Sequence, residues 1–496
     1  MATQHPDNAS IPFWHDKAFI STQDEIEEIY QNFSNFELDE YMWDWEGKFA
    51  DEALFEKLFN KYLDFFKVRQ IGKDIFITLR IPNIWEEKTF KLARSYISVL
   101  SSAAFCKSLG LHAPPVFEII LPMTRSADQL IHIQDTFEKT QELYKNIFQE
   151  GENGFGNKNI KIIPLFESID DLAGCAEVLE TYLQKYQEKY KSLPDYMRSF
   201  IARSDPALNA GFVPAVIASR MALREFYRVS EKYSMPIYPI IGTGSLPFRG
   251  GVNPNNIENI LAQYKGVKTF TVQSAFRYDY NLEVVKKAIK ELNKAAKKPE
   301  IINFSESEFL ELKKMNEFFR KPYCQTIEST AEMINDLAKA IPRRRERVQH
   351  IGLFGYNRGI GKTKLPRAIS FTSAWYNMGI PPEFIGTGRG LKKVYQEGMQ
   401  GLLEKHFPTL RSDLIHAGKY LNLENLEKLA NKNSWASDIL QDVKLAAKYL
   451  QINIGPQRDA DLLHRNLTST IMIKRELNLV YERELVEAAI IRKSIG

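Results

Sequence analysis

The stretch Ile160-Lys161-Ile162-Ile163-Pro164-Leu165-Phe166-Glu167-Ser168-Ile169-Asp170-Asp171 carries the argument for the fold. A nearly continuous apolar run is cut off by a carboxylate, and a charged amphipathic stretch, 172–191, follows. Such a run suits a strand buried on both faces, as in a parallel sheet. Working outward in both directions, the same unit recurs. Apolar runs lie at 75–79, 116–121, 200–203, 237–241, 268–272 and 351–354, with helix-like segments such as 126–148 and 282–296 between them. Alternation of this kind predicts βα units. With 160–166 the runs number seven, and 301–304 is the candidate for an eighth strand. The expected architecture is therefore an α/β fold, a (β/α)8 TIM-type barrel with many additional helices.

The polar residues sharpen that expectation. Arg80, Arg125, Glu167, Asp205, a glycine-rich loop at 242–251, Gln273 and Asn357-Arg358 each follow one of the runs closely. Barrel enzymes carry their chemistry at the C-terminal ends of the strands. On either side of the barrel the pattern changes. Residues 21–66 are acidic, aromatic and helical in period, with Thr22 and Glu25 spaced as a capping box. Beyond about Gly390 the chain reads as helices. The expected organisation is one domain over 1–496, with the barrel and its catalytic loops at about 70–390. A helical region at about 391–496 packs on it and is a candidate subunit interface.

Composition excludes several classes. A 44% hydrophobic fraction supports a large core and argues against disorder. The 66 basic residues face 62 acidic ones, a net charge of +4 that argues for neither nucleic acid nor a membrane surface as partner. Cys106, Cys175 and Cys324 are too few and too scattered for a disulfide framework or a zinc site. The N-terminus lacks the pattern of a signal peptide. No apolar run approaches the roughly 20 residues that span a bilayer. A soluble, cytoplasmic protein is expected.

Several residues invite a chemical reading beside a plainer one. Glu167 and Asp205 are a pair of hard oxygen ligands suited to Mg2+ or Mn2+ if their strands are neighbours, or else a pair of helix N-caps. The loop Gly242-Thr243-Gly244-Ser245-Leu246-Pro247-Phe248-Arg249-Gly250-Gly251 sets four glycines and an arginine where backbone amides and a guanidinium could cradle an anion. The alternative is a flexible surface loop. Its spacing does not fit a dinucleotide-binding fingerprint. Gly359-Ile360-Gly361-Lys362-Thr363 imitates the end of a phosphate-binding loop, but Tyr356 stands where the first glycine is required. His5 is either a solvated terminal residue or a proton carrier. Trp43 and Trp45 read as core aromatics. Arg343, Arg344, Arg345 and Arg347 read as a solvated or interface face; an RNA-binding role for them would predict salt-sensitive binding.

Taken in order, the motifs resemble the phosphoenolpyruvate carboxylases, specifically their short archaeal type. The resemblance is carried by Thr3-Gln4-His5-Pro6-Asp7-Asn8, Pro164-Leu165-Phe166-Glu167 and Arg203-Ser204-Asp205-Pro206-Ala207-Leu208-Asn209-Ala210-Gly211. It continues through the glycine-rich loop, Val272-Gln273-Ser274-Ala275-Phe276-Arg277-Tyr278-Asp279, Ile351-Gly352-Leu353-Phe354-Gly355-Tyr356, Leu365-Pro366-Arg367-Ala368-Ile369 and Pro381-Pro382-Glu383-Phe384-Ile385-Gly386-Thr387-Gly388. It implies irreversible, anaplerotic carboxylation of phosphoenolpyruvate by bicarbonate to oxaloacetate and phosphate, through carboxyphosphate and a metal-bound enolate. It implies Mg2+ or Mn2+ on Glu167 and Asp205, and catalytic roles for His5 and Arg249. Substrate contacts fall to Arg80, Arg125, Gly250, Gly251, Arg358 and Arg367. The family is commonly homotetrameric.

This chain departs from the larger bacterial and plant members. It has Thr243 where their glycine-rich loop carries a second arginine, with Arg125 a candidate replacement, and Leu208 where they carry a lysine. It is about half their length and ends in Lys493-Ser494-Ile495-Gly496 rather than their asparagine-containing tail, which puts feedback inhibition by aspartate or malate through that tail in doubt. The nearest rival reading is another metal-dependent phosphoenolpyruvate or pyruvate barrel enzyme, an aldolase or lyase.

Overall fold

The computed structural model describes residues 1–45, 48, 51, 53–86, 91–111, 113–148, 160–298, 300–346, 359–360 and 363–496. Its centre is a curled sheet of eight parallel strands in sequential order. They are β1 (Ala2–Thr3), β2 (Glu40–Asp44), β3 (Phe76–Arg80), β4 (Glu118–Leu121), β5 (Lys161–Phe166), β6 (Met197–Ala202), β7 (Ile237–Gly242) and β8 (Thr269–Phe270). Past β8, Ala2 and Val272 form a parallel bridge. There Thr3 N–H donates to the Val272 carbonyl at 3.1 Å, and Val272 N–H to that of Met1 at 2.9 Å.

Burial on both faces explains the unbroken apolar runs. Ile120, Ile163, Leu165, Phe200 and Ile240 pack on the concave face with Met1 and Met42. Their strand neighbours Ile119, Ile162, Phe166, Ile201 and Ile241 join the large core under the helices. A period of two thus divides each strand between two apolar environments. The helices Ile169–Tyr190 and Phe212–Tyr233 pack together over the outer face, and the 34-residue helix Glu306–Lys339 lies against the second of them. From Thr387 onward the chain is helical to Arg492. Among the described residues, no helix is long and apolar enough to cross a membrane.

At the N-terminal ends of the strands, the even-numbered members β2, β4, β6 and β8 contribute Glu40, Glu118, Arg198 and Thr269 to one connected layer. The Arg198 guanidinium donates to Glu40 Oε1 and Oε2 at 2.8 Å each, to Glu118 Oε2 at 2.7 Å and to Thr269 Oγ1 at 3.1 Å. Tyr196 donates to the other Glu118 oxygen.

Three expectations need correction. The sheet starts at Ala2, far ahead of residue 70, because β1 is too short to show a period and β2, Glu-Tyr-Met-Trp-Asp, begins and ends in acids. Residues 301–304 form no strand; Ile302 and Phe304 are buried as parts of a loop. The expected capping box does not form. Thr22 turns its N–H and hydroxyl to Glu346 at 3.0 and 2.8 Å, and the helix Glu25–Ser34 starts after Asp24 without a side-chain cap. The expected strand at 351–354 lies outside the described residues. Trp43 and Trp45 are core aromatics, as read from the sequence.

Candidate active site

The C-terminal ends of the strands open onto a cavity of about 540 Å3, which His5, Arg80, Glu167, Asp205, Arg249 and Arg367 all help to line. They arrive from six different parts of the chain. Each of four sits at or just past a strand: Arg80 ends β3, Glu167 follows β5, and Asp205 and Arg249 lie in the segments after β6 and β7. His5 follows β1, and Arg367 is the N-cap of the helix Ala368–Asn377.

Arg80 is held in a two-pronged bond, Nε to Asp44 Oδ1 at 2.9 Å and NH2 to Oδ2 at 2.6 Å, so the end of β2 aims the arginine of β3. Glu167 accepts the Met123 N–H at 3.3 Å. Asp205 lies in the first turn of the short helix Ser204–Ala210. The His5 ring places Nδ1 2.9 Å from the Thr3 hydroxyl. Its carbonyl accepts from Ser274 N–H at 3.3 Å.

The glycine-rich loop is buried and bonded to itself, which removes the flexible-surface reading. Gly244 N–H donates to the Arg249 carbonyl at 2.8 Å, and Val252 N–H returns to Gly244 at 3.0 Å. A Cβ at Gly244 would stand 2.8 Å from the Arg249 guanidinium, so only glycine leaves room for that side chain. Gly250, with φ +120°, turns against Thr243. From behind, Glu383 accepts Phe248 N–H at 2.8 Å and the Tyr376 hydroxyl at 2.7 Å; burial pushes its carboxyl up to about 7.

Arg249 is 1% exposed and meets four partners: Ser204 Oγ at 3.2 Å, Asp7 Oδ2 at 3.0 Å, the Gly496 carbonyl at 2.6 Å and Gln273 Oε1 at 2.5 Å. Desolvation lowers its pKa, while Asp7 and Asp205 oppose that shift. Asp7 is itself raised by burial against the pull of Arg249. The end of the chain belongs to the same cluster, with Ile495 N–H on the Asp7 carbonyl at 2.7 Å and Arg492 on that of Ile495 at 3.2 Å.

Some residues expected at the site lie elsewhere. Arg125 stands outside the cavity, half exposed, in an ion pair with Glu86 at 2.8 Å. Gly250 and Gly251 shape the turn and do not line the chamber. Arg358 lies outside the described residues, as do Gly361 and Lys362 of the false phosphate loop. The reading of 343–347 as a solvated or interface face is corrected for Arg344 and Arg345, which are buried, while Arg343 is exposed. Arg343, Arg344 and Arg345 reach the cavity, and Arg345 is buried on Glu25 at 2.8 Å and Glu28 at 2.8 Å. Burial alone would raise the Glu28 carboxyl, but Arg345 and Arg277 outweigh it and hold it at about 2. A run of charge in sequence carries no sign of its partners, and here they sit some 320 residues away.

Gln273, read as a strand-end residue, does line the cavity, whereas Asp7, Ser204 and the last three residues were missed as site members. Asp7 and Ser204 fall within motifs read for their neighbours, so adjacency to His5 and Asp205 was the available signal. The tail offered none.

The family model described as Phosphoenolpyruvate carboxylase matches residues 1–496. The chain is similar to the phosphoenolpyruvate carboxylase of Oenococcus oeni, 40% identical over 480 residues, covering 95% of this chain and 93% of that one. It is 39% identical to the enzyme of that name from Metallosphaera sedula, covering 100% and 99%. The corresponding figures for Pyrococcus abyssi are 37%, 87% and 90%.

Proposed function

This chain belongs to the phosphoenolpyruvate carboxylase family, and from that premise we infer how its cavity joins bicarbonate carbon to phosphoenolpyruvate to give oxaloacetate and phosphate. The observation that carries the reading is one chamber holding a carboxylate pair, a histidine and several arginines. Both substrates are anions that repel each other, and clustered guanidinium groups offset that repulsion.

Arg80, aimed by Asp44, presents its guanidinium charge to the substrate phosphate. Arg367 adds a second contact, and Arg358 is proposed as a third. Glu167 and Asp205 fit Mg2+ or Mn2+ by donor chemistry. Among the described residues no group of three or more His, Cys, Asp or Glu could hold a metal. Two carboxylates completed by water and substrate suit a hard cation that keeps part of its hydration. When bound, the cation supplies positive charge that draws the two anions together.

A bicarbonate oxygen attacks phosphorus; the bond from phosphorus to the enol oxygen breaks, leaving carboxyphosphate and the enolate of pyruvate. His5 takes the carboxyphosphate proton as that species splits into CO2 and phosphate. Arg249, fixed by four partners, holds CO2 beside the enolate, whose carbon then attacks it. Leu165, Phe200, Met42 and Ile495 give the chamber apolar wall. Keeping water out matters because protonation of the enolate would release pyruvate instead.

The proposed frame is one domain over 1–496, a closed (β/α)8 barrel with the C-terminal helices packed on it. The bonds joining β1 to 270–272 and the four-residue layer from alternate strands support closure. The proposed assembly is a cytoplasmic homotetramer; exposed Ile473 and Ile490 on the last two helices and Leu477 and Val480 between them supply apolar surface for contacts. Light scattering should give four times 57.3 kDa.

Supplying phosphoenolpyruvate, bicarbonate and Mg2+ should yield oxaloacetate and phosphate in equal amounts. Bicarbonate-independent turnover without oxaloacetate would instead favour an aldolase or lyase.

A further inference from the structure

Past Thr3 the N-terminal segment has no regular structure, so the location of His5 depends on what grips residues 4–10. One share of the grip comes from a short helix, Ser274–Tyr278, and the residue that ends it. Arg277 donates to the Thr3 carbonyl at 2.6 Å, Ser274 N–H to that of His5 at 3.3 Å, and Ala275 N–H to Asp7 Oδ1 at 2.7 Å. Asp279 finishes the series. Its Oδ2 accepts Ala9 N–H at 2.8 Å and its Oδ1 accepts Ser10 N–H at 2.6 Å.

Arg344 works against the same segment from its carbonyl side, with Nε on Asn8 O at 3.1 Å and NH2 on Ala9 O at 3.4 Å. An anion thus holds the amides of Ala9 and Ser10, and a cation the carbonyls of Asn8 and Ala9. Asp279 does not line the cavity and meets none of the groups assigned to substrate. Holding a carboxylate there carries a desolvation cost, which pushes its pKa up to about 7. A carboxylate offers a separate oxygen to each amide, where an amide side chain would have one oxygen for both.

We propose that Asp279 is a positioning residue for the carboxylation, fixing the imidazole of His5 in the cavity by clamping the Ala9 and Ser10 amides. The inference rests on the reading of His5 as the base. Loss of the clamp leaves the first step, which uses Arg80 and the carboxylate pair, and impairs the second. Carboxyphosphate then forms and breaks down without efficient capture of CO2, and the enolate is protonated to pyruvate.

The test uses the full chain with phosphoenolpyruvate, bicarbonate and Mg2+, reading oxaloacetate, pyruvate and phosphate from one reaction. Hydrogen exchange of the N-terminal peptide is followed alongside. In Asp279→Ala, protection of the residue 9 and 10 amides should fall by about tenfold or more. The ratio of oxaloacetate to phosphate should move toward that of His5→Asn, in which loss of a general base is expected to lower oxaloacetate on the order of 10²-fold. Asp279→Asn, which keeps one acceptor oxygen, should fall between the parent and Asp279→Ala and covers the case in which the alanine variant does not fold.

Unchanged protection in both Asp279 variants would overturn the clamp. A loosened peptide with the parent's product ratio, beside a shifted ratio in His5→Asn, would overturn the positioning role alone. A parental ratio in His5→Asn would bring down the base reading and, with it, the role assigned to Asp279.

Discussion

At the foot of the sheet, Arg198 meets Glu40 and Glu118 with every carboxylate oxygen engaged by a neighbour. At the opposite end, Arg80, Arg249 and Arg345 are also paired, but they stand around an open chamber with Arg343, Arg344 and Arg367. Both ends spend buried charge, and they differ in whether the account closes within the protein. At the foot it does: opposing charges hold the Arg198 proton tightly and depress the Glu40 carboxyl against its burial. At the cavity the arginines exceed the carboxylates, an excess that the proposed anionic substrates would balance. On that proposal one end of the strands serves stability and the other chemistry.

Substitutions should separate the two ends. The largest effect is expected at the carboxylate pair. Glu167→Gln or Asp205→Asn should lower oxaloacetate formation by about 10³-fold or more, since a catalytic cation supplies several kcal/mol. Thermal unfolding should move little, and an active Asp205→Ala enzyme would break the comparison. Next comes the foot. Arg198→Met leaves two buried carboxylates facing one another and should cost about 3–5 kcal/mol of stability. The KM of the protein that stays folded should hold, whereas a changed KM with unchanged stability would reverse the assignment of the two ends.

A smaller effect is expected at Glu383, behind the glycine-rich loop. Its folded pKa of about 7 lies above the ordinary value of 4.5. Between those values the native state keeps a proton that the unfolded chain has released, so stability falls as pH rises through the window. The loss is complete above about pH 7. Glu383→Gln removes this slope and should gain on the parent by on the order of 2 kcal/mol from pH 4.5 to 7 in denaturant titrations. A parallel pair of stability curves would show that Glu383 is ionised throughout. Smallest is Arg125→Ala. As half of an exposed pair with Glu86, it should change stability by less than about 1 kcal/mol. Phosphoenolpyruvate KM should stay near the parent's; a large rise would return Arg125 to the substrate site.

Legibility followed chain distance. Glu167, Asp205, Arg80 and the arginine loop could be read because each follows an apolar run, and strand ends are where barrels do chemistry. Arg344 and Arg345 were misread as part of a solvated or interface face because a run of arginines looks the same beside water as beside Glu25 and Glu28. The carboxyl-terminal residues gave no local hint of their bond to Arg249, since nothing in Ser-Ile-Gly specifies a partner nearly 250 residues away. The first strand was missed because two residues cannot display a period.

Local chemistry and order alone thus determined the βα alternation, the likeness to phosphoenolpyruvate carboxylases and the carboxylates and arginines placed at strand ends. Periodicity and motif spacing are properties of neighbours, and the sequence holds them outright. Only the tertiary structure decided where the sheet begins, which arginines are already paired and how the two termini meet at Arg249 and Asp7. Those facts arise when the sheet curls and brings distant segments into hydrogen-bond range, where desolvation makes each buried charge depend on a partner that sequence proximity does not reveal.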